Sequence, residues 1–526
     1  MASHVTGDET PLVPVVVDDI PLVTVVTNGV PVGTIVAYAA EPEHLPAGWF
    51  VCDHRKLEAA KYPELREALG LPAGGIGGEI QLPDLRGQFL RSCDFNLTPG
   101  ETFSWKTGEP RIPIQLTLDR MGDHMNKTLK MGTTKVIEWH SGPRRFDVSG
   151  GDAETRPVNV ALYWVIKATS KEGADGVPIG AVIPFAGDDK KIPAPAYFPW
   201  WIRCDCAKVE SDQLGHILPV VKDKFKLASS PSSSKVFWPP DLRGKFIRGV
   251  DWESVHDPDG KSRQPAPNGD TAGLGTWQGC STAFKDRKPC VDVEHFSKWY
   301  HKTSNAAGNH NFRDDKYTDH QVWSGGDKET RPKNAAMHFY INTLPHDSQP
   351  DFPVGGVIAR IGELKDERWL PCDGDPRPIR TESGEDPLYK AIGKIWNWST
   401  EIEDLFSVPN LFGRFIRGAD LVGAPNGDPD RDNRTEYYGW EKRVGAGSFQ
   451  DWATAMPVSK PLSISISYPT DEYQNAKTSG GATDESTRAS GAKSFPLKFE
   501  TPDNETAPTC MAVRFYVCAT GYDGTG

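Results

Sequence analysis

The sequence lacks a long unbroken apolar run: its most apolar stretch, residues 12–26, is interrupted by Pro14, Asp18, Asp19 and Pro21 and is no membrane span. Near the N-terminus no basic segment precedes an apolar core, so no secretory leader of the usual kind is expected. Positive charge is also short. Lys plus Arg number 59 against 71 Asp plus Glu, a formal balance of −12 with no basic block, which argues against a nucleic-acid-binding surface. Cysteines are nine, an odd number, and Cys204 and Cys206 are too close for a Cys-x-x-Cys pair, so neither a zinc set nor a disulfide framework is indicated. Synthesis in a reducing cytoplasm fits that usage. Enzyme motifs are missing as well: there is no Gly-x-Ser-x-Gly and no His-Glu-x-x-His, and Gly260-Lys261-Ser262 has no upstream glycine of a phosphate loop. The chain is therefore read as no enzyme and without a cofactor, although a glycosidase carboxylate pair needs no motif.

What is present is glycine, proline and aromatic residues, 51, 44 and 10% respectively. This is the composition of a loop-rich, mainly β protein with short helices. It is also a repeat. The stretch Pro83-Asp84-Leu85-Arg86-Gly87-Gln88-Phe89-Leu90-Arg91 returns as Pro240-Asp241-Leu242-Arg243-Gly244-Lys245-Phe246-Ile247-Arg248. It returns again, altered, as Pro409-Asn410-Leu411-Phe412-Gly413-Arg414-Phe415-Ile416-Arg417. Each occurrence follows a Trp-x-x-Cys-Asp segment, at Trp49–Asp53, Trp201–Asp205 and Trp369–Asp373. Each precedes a third marker, Glu154-Thr155-Arg156-Pro157, Glu329-Thr330-Arg331-Pro332 or Glu505-Thr506-Ala507-Pro508. Three markers in one order, three times over, imply three tandem domains in 526 residues, at 31–172, 173–347 and 348–526. Residues 1–30 alternate proline with Val and Leu and read as an extended arm that docks on a larger assembly.

The repeated stretch makes local demands. Its leading proline suits a strand entrance. Asp84 and Arg86, two apart, share a face and are placed to pair, as are Asp241 and Arg243; Asn410 and Phe412 lose both members together. A glycine in all three marks a bulge or close backbone approach. Arg91, Arg248 and Arg417 fall on the side of the core phenylalanine and need acidic partners, for which Asp53, Asp205 and Asp373 are candidates. Cys52, Cys204 and Cys372 read as buried thiols.

Opening strands are expected at Val32–Tyr38, Ile179–Ile183 and Val354–Ile358. Leu57, Tyr62, Leu65 and Leu69 predict a helix over Glu58–Leu69 stopped by Gly70, echoed at Leu388–Ile392. Closing strands alternate Val160, Leu162, Trp164 and Ile166; Ala335, Met337, Phe339 and Ile341; Met511, Val513, Phe515 and Val517. The opposite face carries Tyr163, His338 and Arg514, which in the last two domains should meet water or a neighbouring domain. Between second and third markers lie inserts, shortest in the first domain and longest in the last. They carry Trp277, Trp299, Tyr300, Trp323, Trp440 and Trp452, which serve either to pack the inserts or to bind a ligand. His301, His310 and His320 are the weak candidates for a metal, and Asp428, Asp430 and Asp432 fail as a calcium loop because Asn433 and Gly439 stand where glycine and glutamate are needed.

Taken together, Pro-Val-Gly-Thr-Ile, Trp-x-x-Cys-Asp, Pro-Asp-Leu-Arg-Gly-x-Phe-x-Arg and Glu-Thr-Arg-Pro-x-Asn resemble the phage tail collar family. The resemblance covers all three domains, about residues 31–520, and departs from the family in the third, where Ala507 and Cys510 replace Arg156 and Asn159. It implies a tail fibre or tail-tip protein of a virion or phage-like particle, with a host cell-surface glycan and other tail or baseplate proteins as partners. Family members usually carry one such domain and form intertwined homotrimers, so three in one chain imply either a monomeric pseudo-threefold head or a homotrimer. The alternative is a structural baseplate or collar component, and a glycan depolymerase ranks third.

Overall fold

The computed structural model describes the chain between residues 30 and 520, apart from internal segments, chiefly 119–143, 187–200, 226–235, 294–313 and 470–492. The docking arm expected at residues 1–30 lies, but for its last residue, outside the described part. Among the described residues the protein is mainly β, with one sheet of fifteen strands, a second of six, and short helices.

Three β-branched runs give the opening strands, Thr34–Tyr38, Ala181–Phe185 and Val357–Arg360. Each pairs antiparallel with the nine-residue closing strand that ends its own repeat: Ile35 opposite Ile166, Val182 opposite Ile341, Val357 opposite Val517. The closing strands are Asn159–Lys167, Asn334–Asn342 and Cys510–Cys518. Nearly every residue on them is buried, as befits strands covered on both faces. His338 is buried, and Arg514 partly so, on the face for which a neighbour or water was expected. The Trp-x-x-Cys-Asp segments add a short strand to the same partners, Trp49 opposite Lys167, Trp201 opposite Asn342 and Trp369 opposite Cys518.

A third set of strands, Phe89–Ser92, Phe246–Gly249 and Phe415–Gly418, carries the repeated arginine. These pair parallel with the closing strand of a different repeat. Ile247 lies opposite Val160, Ile416 opposite Ala335 and Leu90 opposite Met511, so second joins first, third joins second, and first joins third. The exchange is a closed cycle. The opening strands also meet one another, through Ala37 and Val182, Ile35 and Ala359, and Phe185 and Gly356. An apolar cavity of about 40 Å³ remains between the opening strands and the rings of Phe89, Phe246 and Phe415.

The inserts build the second sheet from strands of all three repeats. In order across the sheet these are Gln321–Ser324, Gln115–Leu118, Lys493–Phe499, Pro289–Val293, Arg144–Ser149 and Ser463–Ile464. Their inner residues Ile114, Leu116, Val148, Val291, Leu462, Ile464 and Phe495 form a separate core.

One expected element is shorter than its leucine spacing suggests. Lys56–Glu58 is a strand paired with Glu79–Gln81, and the helix covers only Pro63–Ala68. Pro63 sits in the first turn, where its missing N–H costs nothing, and sets the start that periodicity placed too early. The echo is Pro387–Ile392, capped by Asp386, whose carboxylate accepts from the N–H groups of Leu388 and Tyr389 at 2.8 and 3.0 Å. A helix at Ile217–Val221 in the second repeat has no counterpart in the sequence reading.

Each arginine strand is entered through a turn whose glycine has positive φ: 64° at Gly87, 66° at Gly244 and 66° at Gly413. A Cβ on Gly244 would also stand 2.3 Å from the Asp428 amide nitrogen. Gly244→Ala should therefore lower unfolding free energy by about 1–3 kcal/mol or more. Gly279→Ala, where a Cβ would meet nothing within 4 Å, should change it little, and paired urea titrations check both.

Candidate functional site

The repeated stretch is a tight turn followed by a strand. In the first turn Asp84 accepts from the Arg86 amide at 3.2 Å and holds its guanidinium at 2.9 and 2.8 Å. Asp241 treats Arg243 the same way, at 3.2, 2.9 and 3.1 Å. Asn410 keeps the backbone bond, from Phe412 N at 3.2 Å, which explains how the turn survives the joint loss of the ion pair. The Asp of the upstream marker lies against this turn, Asp53 by Asp84, Asp205 by Asp241 and Asp373 by Asn410, all through backbone pairing.

That placement corrects the expected partners of Arg91, Arg248 and Arg417. Asp53 binds Arg55, Asp205 binds Arg203, and Asp373 accepts from the Asp375 amide. The strand arginines instead cross to a neighbouring repeat. Arg248 Nε donates to the Gly87 carbonyl at 2.7 Å and Arg417 Nε to the Gly244 carbonyl at 2.7 Å. Their guanidiniums lie over the Phe89 and Phe246 rings, 5.3 and 5.2 Å from the centroids, and Arg91 lies over Phe415 at 5.8 Å. The cycle of strand pairing is repeated by side chains.

The acids that neutralise Arg248 and Arg417 come from the inserts. Asp257 stands 3.3 Å from Arg248 and 2.8 Å from Arg263, and Gln278 donates to it at 3.0 Å. Arg263 also donates to Asn159 Oδ1, across the seam, at 2.8 Å. The twin network holds Asp428 3.4 Å from Arg417 and 2.9 Å from Arg434, with Gln450 donating at 3.2 Å. Burial alone would raise both carboxyls, yet the paired guanidiniums hold Asp257 and Asp428 below the usual carboxylate range. Burial brings Arg263 and Arg434 down to about 10. The three aspartates set aside as a calcium loop thus each face an arginine: Asp430 binds Arg331 at 2.8 Å, and Asp432 lies 3.5 Å from Arg431.

The third seam is built differently. Phe103 stands opposite Cys510 where Gln278 stands opposite Asn159 and Gln450 opposite Asn334. Phe103 packs on a cluster of Phe89, Phe246, Phe415, Ala507 and Cys510. The departures at Ala507 and Cys510 are therefore matched by a half-buried phenylalanine in place of glutamine.

The Thr of the third marker also has a part that sequence reasoning missed. Thr155, Thr330 and Thr506 are buried and their hydroxyls accept from the amides of Ala283, Ala455 and Gly108, at 3.1, 3.1 and 3.0 Å. Each acceptor belongs to one repeat and each donor to the next around the same cycle. Hydroxyl pairs with Thr107, Thr282 and Thr454 complete the ring. The thiols of Cys52, Cys204 and Cys372 are free and buried, and burial pushes each well up, as inert core groups.

Of the aromatic candidates, Trp277 is half-buried against the main core and Trp323 against the second core. Trp452 is half-buried beyond the strand Phe449–Gln450. Trp299, Tyr300, Trp440, His301, His310 and His320 lie outside the described residues. Among the described residues no three His, Cys, Asp or Glu side chains gather into a metal-holding group. Trp396, buried with its Nε1 donating to Ala186 O at 2.7 Å, joins the third repeat to the second and was not singled out by its surroundings in sequence.

Asp428→Asn leaves Arg417 and Arg434 buried together and should cost about 3–5 kcal/mol at neutral pH. Because the folded carboxyl is depressed, its stabilisation is full above the unfolded pKa and fades as pH falls through the folded value. The gap between wild type and variant in urea titrations should accordingly narrow in acid.

With this geometry in view, the comparisons with known proteins bear on one end of the chain. A family model described as Phage Tail Collar Domain matches residues 33–90, which hold the first opening strand, the Trp49–Val51 strand and the first Asp84–Arg86 turn. Among curated proteins, Protein RhiB of Rhizobium leguminosarum bv. viciae is 27% identical over 154 residues, covering 23% of this chain and 64% of that protein. The chain thus spans less than two thirds of that relative's length. No solved structure matches. Residues 33–90 of the chain thus match the phage tail collar domain.

Proposed function

We propose that the chain is a tail-fibre or tail-tip protein of a phage or phage-like particle, built from three tandem collar-type domains at 31–172, 173–347 and 348–526. Its head is pseudo-threefold and made by one chain, and it presents its inserts to a glycan on the host cell surface. One observation supports this reading above the rest: parallel pairing of the arginine strands runs second to first, third to second and first to third. Strand exchange of that kind is what an intertwined trimer needs, here with all three parts on one chain. The inserts are interleaved in the second sheet and so present one composite surface. Sugar recognition there would use aromatic faces on apolar sugar faces and Asn, Asp and Gln on hydroxyls. Attachment to the particle falls to residues 1–30.

A second reading, a structural baseplate or collar component, has its own support in Trp277 and Trp323, which are spent on core packing. A glycan array with the purified full chain separates the two. Retention on a defined set of bacterial surface glycans, with no reducing ends released, is expected. Binding only to other particle proteins would favour the structural role, and release of reducing ends would make the protein a depolymerase.

A further inference from the structure

The main sheet sets Thr34, Arg360 and Arg514 in one row across three strands, Thr34 opposite Arg360 and Arg360 opposite Arg514. Directly opposed residues of antiparallel neighbours share a face, and like charges so placed repel. The corresponding rows elsewhere are Ala181, Tyr38 and Tyr163, and Gly356, Phe185 and His338. Neither of them brings two arginines together.

Arg360 is only 7% exposed, and its Nε has no hydrogen-bond partner. The Thr34 hydroxyl, fully buried beside it, has none either. Among the described residues no carboxylate lies within ion-pair distance of Arg360 or Arg514. Asp366 is already held by Arg368 at 3.1 and 2.8 Å, and Glu67 acts on Arg360 only at longer range. Burial pulls the Arg360 pKa below the usual arginine value, the direction expected of a cation without a close counter-charge. A buried charge with no close counter-ion is costly, whereas the guanidinium fork matches the paired oxygens of a carboxylate or phosphate.

We propose that the Thr34–Arg360–Arg514 row is an oxyanion site, which takes a carboxylate or phosphate group between the two guanidiniums with the Thr34 hydroxyl as a further donor. The proposal rests on this row alone and stands whether or not the inserts bind a glycan. Sodium phosphate and sodium glucuronate, titrated calorimetrically into the full-length protein in chloride buffer of matched ionic strength, test it. Either anion should bind. Phosphate alone would identify the ligand as a phosphate group and glucuronate alone as a sugar carboxylate. Arg514→Gln, at a half-buried position that tolerates change, should weaken binding at least about tenfold. Arg360→Leu should abolish binding and melt no lower than wild type in chloride, since it removes an unpaired buried charge. Absence of binding by both anions, or wild-type affinity in Arg514→Gln, would overturn the assignment, and the second readout holds even if Arg360→Leu fails to fold.

Discussion

The bond from Arg248 Nε to the Gly87 carbonyl, 2.7 Å long, joins two parts of the chain 161 residues apart, and Arg417 makes the same bond to Gly244. It depends on the turn glycine: positive φ at Gly87 and Gly244 aims that carbonyl at the neighbouring strand, and at Gly244 a missing side chain lets the neighbour in. Backbone bonds follow the same route. Gly87 N donates to Gly249 O at 3.0 Å, Gly244 N to Gly418 O at 2.8 Å, and Gly413 N to Ser92 O at 3.2 Å. A fully buried arginine would be a liability by itself; here the carbonyl, a phenylalanine face and an insert carboxylate share its donors and its charge. The strand scaffold and the inserts are thereby one structure, since the carboxylates that neutralise Arg248 and Arg417 come from the inserts.

The three seams are alike in backbone and unlike in chemistry. Two bury an Arg–Asp–Arg–Gln network, and the third packs a half-buried Phe103 against Cys510 and Ala507. They are not interchangeable. With the cyclic order reversed, Arg263 would face Cys510 in place of its acceptor Asn159, and Phe103 would face Asn334. The first mismatch takes from the buried Arg263 an acceptor that it now has, a cost of about 1–3 kcal/mol. Divergence among the repeats therefore carries information about order, which identical copies could not.

Much of this was legible because it is local. The Asp84–Arg86 and Asp241–Arg243 pairs follow from two-residue spacing, the glycine turns from recurrence of glycine, and the closing strands from alternation at Val160–Ile166 and its counterparts. Partners of Arg248 and Arg417 were misassigned because alternation fixes the face a side chain takes, not which repeat lies beyond that face. Asp257 and Asp428 occur in inserts of differing length, so no common spacing betrays them. The six-stranded sheet escaped for the same reason: its strands are short, its pairings join different repeats, and each insert alone reads as polar loop. Trp323 shows the limit for single residues, since the sequence marks it as aromatic in a polar insert but only the interleaved strands place it against a core.

Closure of the exchange within one chain is the claim on which the account rests, and the mass of the purified protein in solution by light scattering tests it most directly. One species at the mass of a single chain, 57.9 kDa, is predicted at all concentrations. A stable species of three times that mass, with arginine strands traded between chains, would contradict it.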